Sequence, residues 1–333
     1  MDISKKKFDI QKRLFEEIQK SLPSQYALVD IVSDVLNISM DAAYRRMRYV
    51  KLLDIEEVSA LCAHFQISFD RLMNVRNIHQ FDCIYRPINF SMPGDYLNYV
   101  HALSKNIEQL KTADDSSLLM SATDIPVFHL ISQNELTFFK LFTWAHSVYN
   151  YEGTFDDFLK EIEMPEISGC FQKISRDYEI VPSSEIWTED TVNTTLRLIS
   201  YYDEICMFPN LDFPVLLCEQ VLNILEKLQQ WAENSCKGKN STPFQLYVSE
   251  MDPENSYLLM KQSGQTNCLI KLYTINSLNV LDQAFCRETE QWLTKLAKRS
   301  VPLCGNSEKE RIKFFNAQKQ KVRLLIGKIK DSF

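Results

Sequence analysis

The chain has 333 residues, 45% of them hydrophobic, enough for two or three domains with cores of their own. Its net charge is −7, yet residues 1–76 set 12 Lys+Arg against 11 Asp+Glu, so the acidity belongs to the remainder and argues against general polyanion binding. Nine cysteines without a CxxC pair fit reduced thiols in a cytoplasm, and seven glycines that form neither a GxGxxG nor a Walker A pattern exclude the usual nucleotide-phosphate loops.

In chain order, the opening "MDISKKKFDIQKRLFEEIQK" has basic residues but no apolar run after them, and no stretch of roughly eighteen apolar residues follows anywhere. Neither a secretory signal nor a membrane span is expected. A helix is predicted over Leu28–Leu36, then a tight corner of Asn37, Ile38 and Ser39, with Ser39 capping a second helix over Met40–Tyr49. In that second helix Ala43 and Met47 face inward, and Asp41, Tyr44, Arg45 and Arg48 share another face. Between Asp41 and Asp54 the cations Arg45, Arg46, Arg48 and Lys51 occur with no acid among them. A third helix starts at Asp54, with Glu57 completing a capping box, and buries Val58, Leu61, Cys62 and Phe65. A closing turn adds Ile67, Phe69 and Leu72. This is the layout of a helix-turn-helix unit, whose second helix docks in the DNA major groove.

From Val29 through "SDVLNISMDAAYRRMRYVKLLDIEEVSALCAHFQISFDRLM" the sequence resembles the five-helix domain of lambda-repressor-like (Cro/C1-type) regulators, especially the BetR-like variant found on bacterial regulators with long C-terminal regions. The resemblance covers residues 8 to 76. It departs from the usual glycines at two places, where Asn37 holds the corner and Tyr49 follows the reader helix. Carried over residue by residue, it implies that Met40, Asp41, Tyr44 and Arg45 face base edges, with Arg45 suited to guanine O6 and N7. Asp41 either accepts from a cytosine amino group or merely complements the helix dipole. Ser39, Arg46, Arg48 and Lys51 would hold phosphates, and Tyr44 either touches the DNA or packs on Arg48.

Residues 77–92, with two prolines and little periodicity, read as a linker or a strand. Residues 93–240 are expected to form a helical regulatory and oligomerisation region, with helices at Asp95–Lys111, Asn134–Tyr149, Phe155–Ile162, Gly169–Glu179, Thr188–Met207 and Phe213–Asn234. Residues 241–333 are expected to form a small α+β region. Phe244, Leu246 and Val248 alternate with polar neighbours, and two further strand-like runs, Ser256–Lys261 and Asn267–Ile275, join through "QSGQ" into a small antiparallel sheet. Two helices end it, Asp282–Lys298 and one from Ser307 whose apolar side is Ile312, Phe315, Val322 and Ile329. The fold class expected is mainly α: a five-helix head, a helical bundle with that sheet, and two terminal helices.

The five histidines lack metal-finger or HExxH spacing, and His129 and His146 fall in apolar runs that favour hydrogen-bonded packing. Cys304-Gly305 superficially resembles a self-cleavage bond, but only about thirty residues follow it, too few for a Ser/Lys pair in the usual order. The expectation is a cytoplasmic, homodimeric, non-enzymatic transcription regulator that binds double-stranded DNA without metal or cofactor. A small-molecule effector or RNA polymerase would act on its C-terminal region. An effector pocket is expected among the aromatics of "FHLISQNELTFFKLFTW", with plain core packing as the alternative. The alternative for the whole chain is a protein-interaction scaffold that keeps the helix-turn-helix fold without DNA binding.

Overall fold

Apolar residues at helical spacing near the N-terminus become four helices in the computed structural model, which describes residues 9–21, 28–69, 72, 81, 83–85, 87–88, 94–162, 164–273 and 275–331. These are α1 (Asp9–Ser21), α2 (Leu28–Leu36), α3 (Met40–Met47) and α4 (Ile55–Phe65). Each contributes one stripe to a small core built from Leu14, Phe15, Ile18, Val32, Ala43, Leu61, Cys62 and Leu72. The unit closes at Asp82, and a second unit runs from Cys83 to Phe333. Among the described residues the head therefore has four helices, not the five that the resemblance implies; residues 70, 71 and 73–76 of the expected closing segment lie outside the described residues.

The second unit corrects the expected fold class. Its described residues form a nine-stranded mixed sheet in the order β1-β8-β7-β6-β2-β3-β5-β4, with β9 also on β5. The strands are β1 (Cys83–Tyr85), β2 (Ser117–Ala122), β3 (Ser183–Trp187), β4 (Cys236–Lys237), β5 (Thr242–Val248), β6 (Tyr257–Gln262), β7 (Gln265–Leu272), β8 (Asn276–Val280) and β9 (Val301–Pro302). At the centre β2, β3 and β5 run parallel, with Ala122, Trp187 and Val248 in register at their C-terminal ends. Parallel neighbours require long crossovers. The first contains α6 (Val127–Leu130), α7 (Asn134–Tyr149), α8 (Phe155–Glu161) and α9 (Met164–Tyr178); the second contains α10 (Asn193–Glu204) and α11 (Phe213–Asn234). The remaining helices are α5 (Asp95–Thr112), α12 (Gln283–Arg299) and α13 (Glu308–Asp331).

Helices cover both faces of the sheet, as an α/β layer structure demands. Trp187, Leu246 and Met260 enter the larger core with α5, α7, α9, α11 and α13. Their alternates Ile186 and Leu259 join Cys268 and Val280 under Cys286, Leu293 and Leu296 of α12. The larger core runs from Ile88 to Ile329, so residues 93–240 and 241–333 are not separate regions. The expected small antiparallel sheet is the β6-β7-β8 side of the larger one, and β5 is parted from β6 by β2 and β3. The segment read as a linker or a strand supplies β1, which pairs antiparallel with β8. The apolar side of the last helix is also not free: Phe315, Val322 and Ile329 are buried in the core, while Ile312 is 44% exposed. No described helix is long and apolar enough to cross a membrane.

Candidate functional site

In the head, backbone geometry aims α3. Asn37 adopts a left-handed φ of +49°, the Ile38 amide donates to the Ser33 carbonyl at 3.0 Å, and the Ser33 hydroxyl donates back to the Ile38 carbonyl at 2.6 Å. The Ser39 hydroxyl then caps α3 by accepting from the Ala42 amide at 3.3 Å. At the other end Tyr49 is also left-handed, φ +62°, and the amides of Tyr49 and Val50 return to the carbonyls of Arg46 and Arg45. Asn37 and Tyr49, which stand where glycines were expected, thus adopt the left-handed conformation that glycine favours.

The inner face of α3 is fixed by Ala43, which is fully buried, and by Arg46. Arg46 corrects the expected phosphate set: it is 4% exposed, its Nε donates to Glu57 Oε2 at 2.8 Å, a second nitrogen pairs with Glu57 Oε1, and its Nη1 donates to the Ala42 carbonyl at 3.1 Å. Hydrogen bonding to Glu57 holds its pKa above the ordinary value. Glu57 also accepts from the Asp54 amide, closing the capping box of α4, so one carboxylate ties the reader helix to the next. Gln11 of α1, which the sequence reading did not single out, completes the frame. Its amide nitrogen donates to the carbonyls of Arg46 (2.7 Å) and Lys51 (3.0 Å), and its oxygen accepts from the Leu53 amide (3.0 Å). An i, i+3, i+4 pattern marks Gln11 as facing the core beside Leu14 and Phe15, but nothing local names its distant partners.

On the outer face Ser39, Asp41, Arg45, Arg48 and Lys51 are exposed, with Met40 at 48% and Tyr44 at 46%. Arg48 donates to the Tyr44 hydroxyl at 3.0 Å and its guanidinium lies 4.5 Å from the Tyr44 ring centroid. Tyr44 therefore packs on Arg48. Among the described residues no hydrogen bond or ion pair engages the Arg45 side chain, which stands free for an outside acceptor.

The second unit holds a mainly apolar cavity of about 160 Å³ beside the C-terminal end of β2. Its walls include Tyr96 and Tyr99 of α5, Phe128 of α6, Leu141 of α7, Leu258 of β6 and Leu269 of β7. Asp124, Lys140 and Lys271 also line it. Asp124 is spent locally: Lys140 donates to its Oδ2 at 2.6 Å, Thr195 to its Oδ1 at 2.8 Å, and the Ile125 amide to the same oxygen at 2.9 Å. Burial opposes its charge, but Lys140 and Lys271 outweigh that and hold its pKa below the ordinary value. Lys271 reaches Asp124 Oδ2 only at 3.7 Å. From the expected aromatic stretch, Phe138, Phe139, Phe142 and Trp144 go into the core, and the cavity takes Phe128, Leu130, Thr137, Lys140 and Leu141 instead.

A third cluster is chemically rich but enclosed. Glu185, at the middle of β3 and fully buried, accepts from His129 Nε2 (2.9 Å), Trp187 Nε1 (2.9 Å) and the Tyr178 hydroxyl. Lys237, also fully buried, donates to the Ser183 hydroxyl at 2.8 Å and lies 3.3 Å from the Tyr178 ring centroid. Burial pulls the Lys237 ammonium down to about 7, with Glu185 and Glu179 opposing. None of Ser183, Glu185 and Lys237 lines the cavity, so these groups satisfy one another inside the core. His129 is thus hydrogen-bonded within the packing, and His146 Nδ1 likewise meets the Tyr202 hydroxyl at 3.0 Å.

No family model, no curated protein and no solved structure matches the chain.

Proposed function

We propose that this protein is a sequence-specific DNA-binding transcription regulator: its head lays α3 in the major groove, and its second unit carries dimerisation and signal sensing without catalysis. The observation that carries the reading is the division of labour on α3. Ala43 and Arg46 are consumed by the head's own frame, while Met40, Asp41, Tyr44, Arg45 and Arg48 lie together on the outer face. A guanidinium with no partner among the described residues, on a helix held by buried contacts, suits bidentate donation to a guanine edge, and Arg48, Lys51 and the Ser39 hydroxyl at the helix start suit phosphates. Two heads on half-sites about one turn, ~34 Å, apart would read one operator.

The experiment is selection of random double-stranded DNA by the purified full chain, followed by titration of the enriched site over a range of salt concentrations. Enrichment of one sequence, with affinity falling as salt rises, supports the reading. No enrichment above random DNA overturns it.

A second reading, a protein-interaction scaffold, is favoured by one observation. Val50, Leu52 and Ile55, in and just after the loop that follows α3, are exposed by 63%, 39% and 69%. Apolar side chains beside the basic face suit a protein partner better than a phosphate backbone. Failure of DNA selection together with loss of a captured protein in the Ile55→Asp variant is its signature.

A further inference from the structure

We propose that the cavity beside β2 binds a small carboxylate with an apolar body about the size of one aromatic ring or a short alkyl chain, held by Lys271 as its counter-ion. The inference gives the sensing role proposed above a ligand class but does not rest on DNA binding by the head. Its test reads binding directly, so either can fail alone.

Shape and chemistry of the walls set the body of the ligand. A volume of about 160 Å³ is near the ~150 Å³ of an apolar cavity that accepts benzene. Tyr96 and Tyr99, stacked with ring centroids 6.0 Å apart, and Phe128, Leu141, Leu258 and Leu269 give such a body apolar contacts. Burial raises both tyrosine pKa values, that of Tyr99 to about 12, so each phenol stays neutral. These rings bring no negative charge to the cavity.

Charge sets the head group. Two lysines and one carboxylate meet at the cavity, and the carboxylate is already engaged by Lys140, Thr195 and a backbone amide. Lys271 is left with a 3.7 Å approach to an oxygen that Lys140 already occupies at 2.6 Å. Its side chain keeps 34% of its surface open, and it lines the cavity. Burial pulls its pKa below the ordinary value, a penalty that a bound anion would relieve. One under-neutralised ammonium, with no arginine among the lining residues, fits a monoanion better than a phosphate dianion.

Isothermal titration of the full chain with benzoate, hexanoate, benzamide and phenyl phosphate tests this, alongside Lys271→Met and Lys271→Arg variants checked for unchanged circular dichroism and melting. Expected are binding of benzoate or hexanoate, at least tenfold preference for benzoate over benzamide, loss of that preference in Lys271→Met, and its retention in Lys271→Arg. Three outcomes overturn the proposal: no binding of either carboxylate at millimolar concentration, equal binding of benzoate and benzamide, or an unaltered benzoate affinity in a folded Lys271→Met protein. Phenyl phosphate binding more tightly than benzoate overturns the carboxylate assignment.

Discussion

Two arginines on one short helix and a third at its C-terminal cap have three different fates, and the differences are measurable. Among the described residues Arg45 has no hydrogen-bond or ion-pair partner, so Arg45→Ala should relax preference at one base pair of the selected site at a cost of ~1–3 kcal/mol and leave the head's melting unchanged. Arg48→Ala should weaken all sequences alike and reduce the salt slope by about one unit. Arg46→Ala should instead destabilise the head by about 3–5 kcal/mol, because it strands Glu57 beside a buried site. Equal effects of the three changes on random and selected DNA would count against this partition. The sequence shows the cations but not their fates, since Arg46 differs from its neighbours only through Glu57, eleven residues away. The same holds for Lys237, an unremarkable lysine in "CKGKN" that the fold buries completely. Its folded pKa of about 7 lies below the ordinary 10.5, so between these values the unfolded chain holds a proton that the folded chain does not. Its contribution is therefore fully present above pH 10.5 and lost as pH falls through 7. Urea unfolding at pH 7 and pH 9.5 should show wild type gaining about 3 kcal/mol relative to Lys237→Met over that interval. Parallel pH profiles for the two proteins would refute the assignment.

At the level of elements, local signals located several ends well, although the helix expected over Thr188–Met207 spans Asn193–Glu204 and the one expected over Met40–Tyr49 ends at Met47. Ser39 and Asp54 cap the helices they were expected to cap, Asp282 proves to be the cap of the helix it was expected to begin, and α7 and α11 begin and end at the expected residues. Shorter elements were less legible. β2, "SLLMSA", is buried at four of its six positions, the last three in a row, and β3, "SSEIW", places Glu185 at its centre, so neither shows the alternation that identifies a strand. The corner before α3 depends on Asn37 in the left-handed region, which costs a β-branched residue roughly 1–2 kcal/mol and glycine nothing. Asn37→Val should lower the head's stability by about that amount, and Asn37→Gly should leave it equal or slightly higher, by thermal or urea melting of residues 1–82. Gln11 extends the argument from one element to three. Gln11→Ala removes one hydrogen bond to the Arg46 carbonyl of α3 and two to the segment after it, so it should cost about 2 kcal/mol or more and raise amide hydrogen exchange at Leu53 first. Unchanged exchange at Leu53 would show that Gln11 does not hold this segment.

The whole molecule was the least legible scale, because strand order is a long-range property. β5 alternates cleanly and sits in sequence before β6 and β7, which invites a simple antiparallel meander; its true neighbour β3 lies some sixty residues earlier. What the sequence does carry is the separateness of the head: its core draws only on Ile10 to Leu72, and the larger core begins at Ile88. A fragment of residues 1–82 should accordingly fold alone with a single cooperative melt, and residues 83–333 should keep the pH signature of Lys237. The same separation bears on assembly. Phe315, Val322 and Ile329 of α13 are buried within their own unit, so these three offer no dimer surface, and a dimer would need other residues of the second unit, the exposed Ile312 and Leu324 of α13 among them. The fragment of residues 1–82 should then sediment as a monomer and bind one half-site weakly, losing the gain in affinity that the intact chain draws from two linked half-sites. Equal affinity of fragment and intact chain for the two-half-site DNA, or an intact chain that sediments as a monomer on it, would remove the dimer while leaving the reading of α3 untouched.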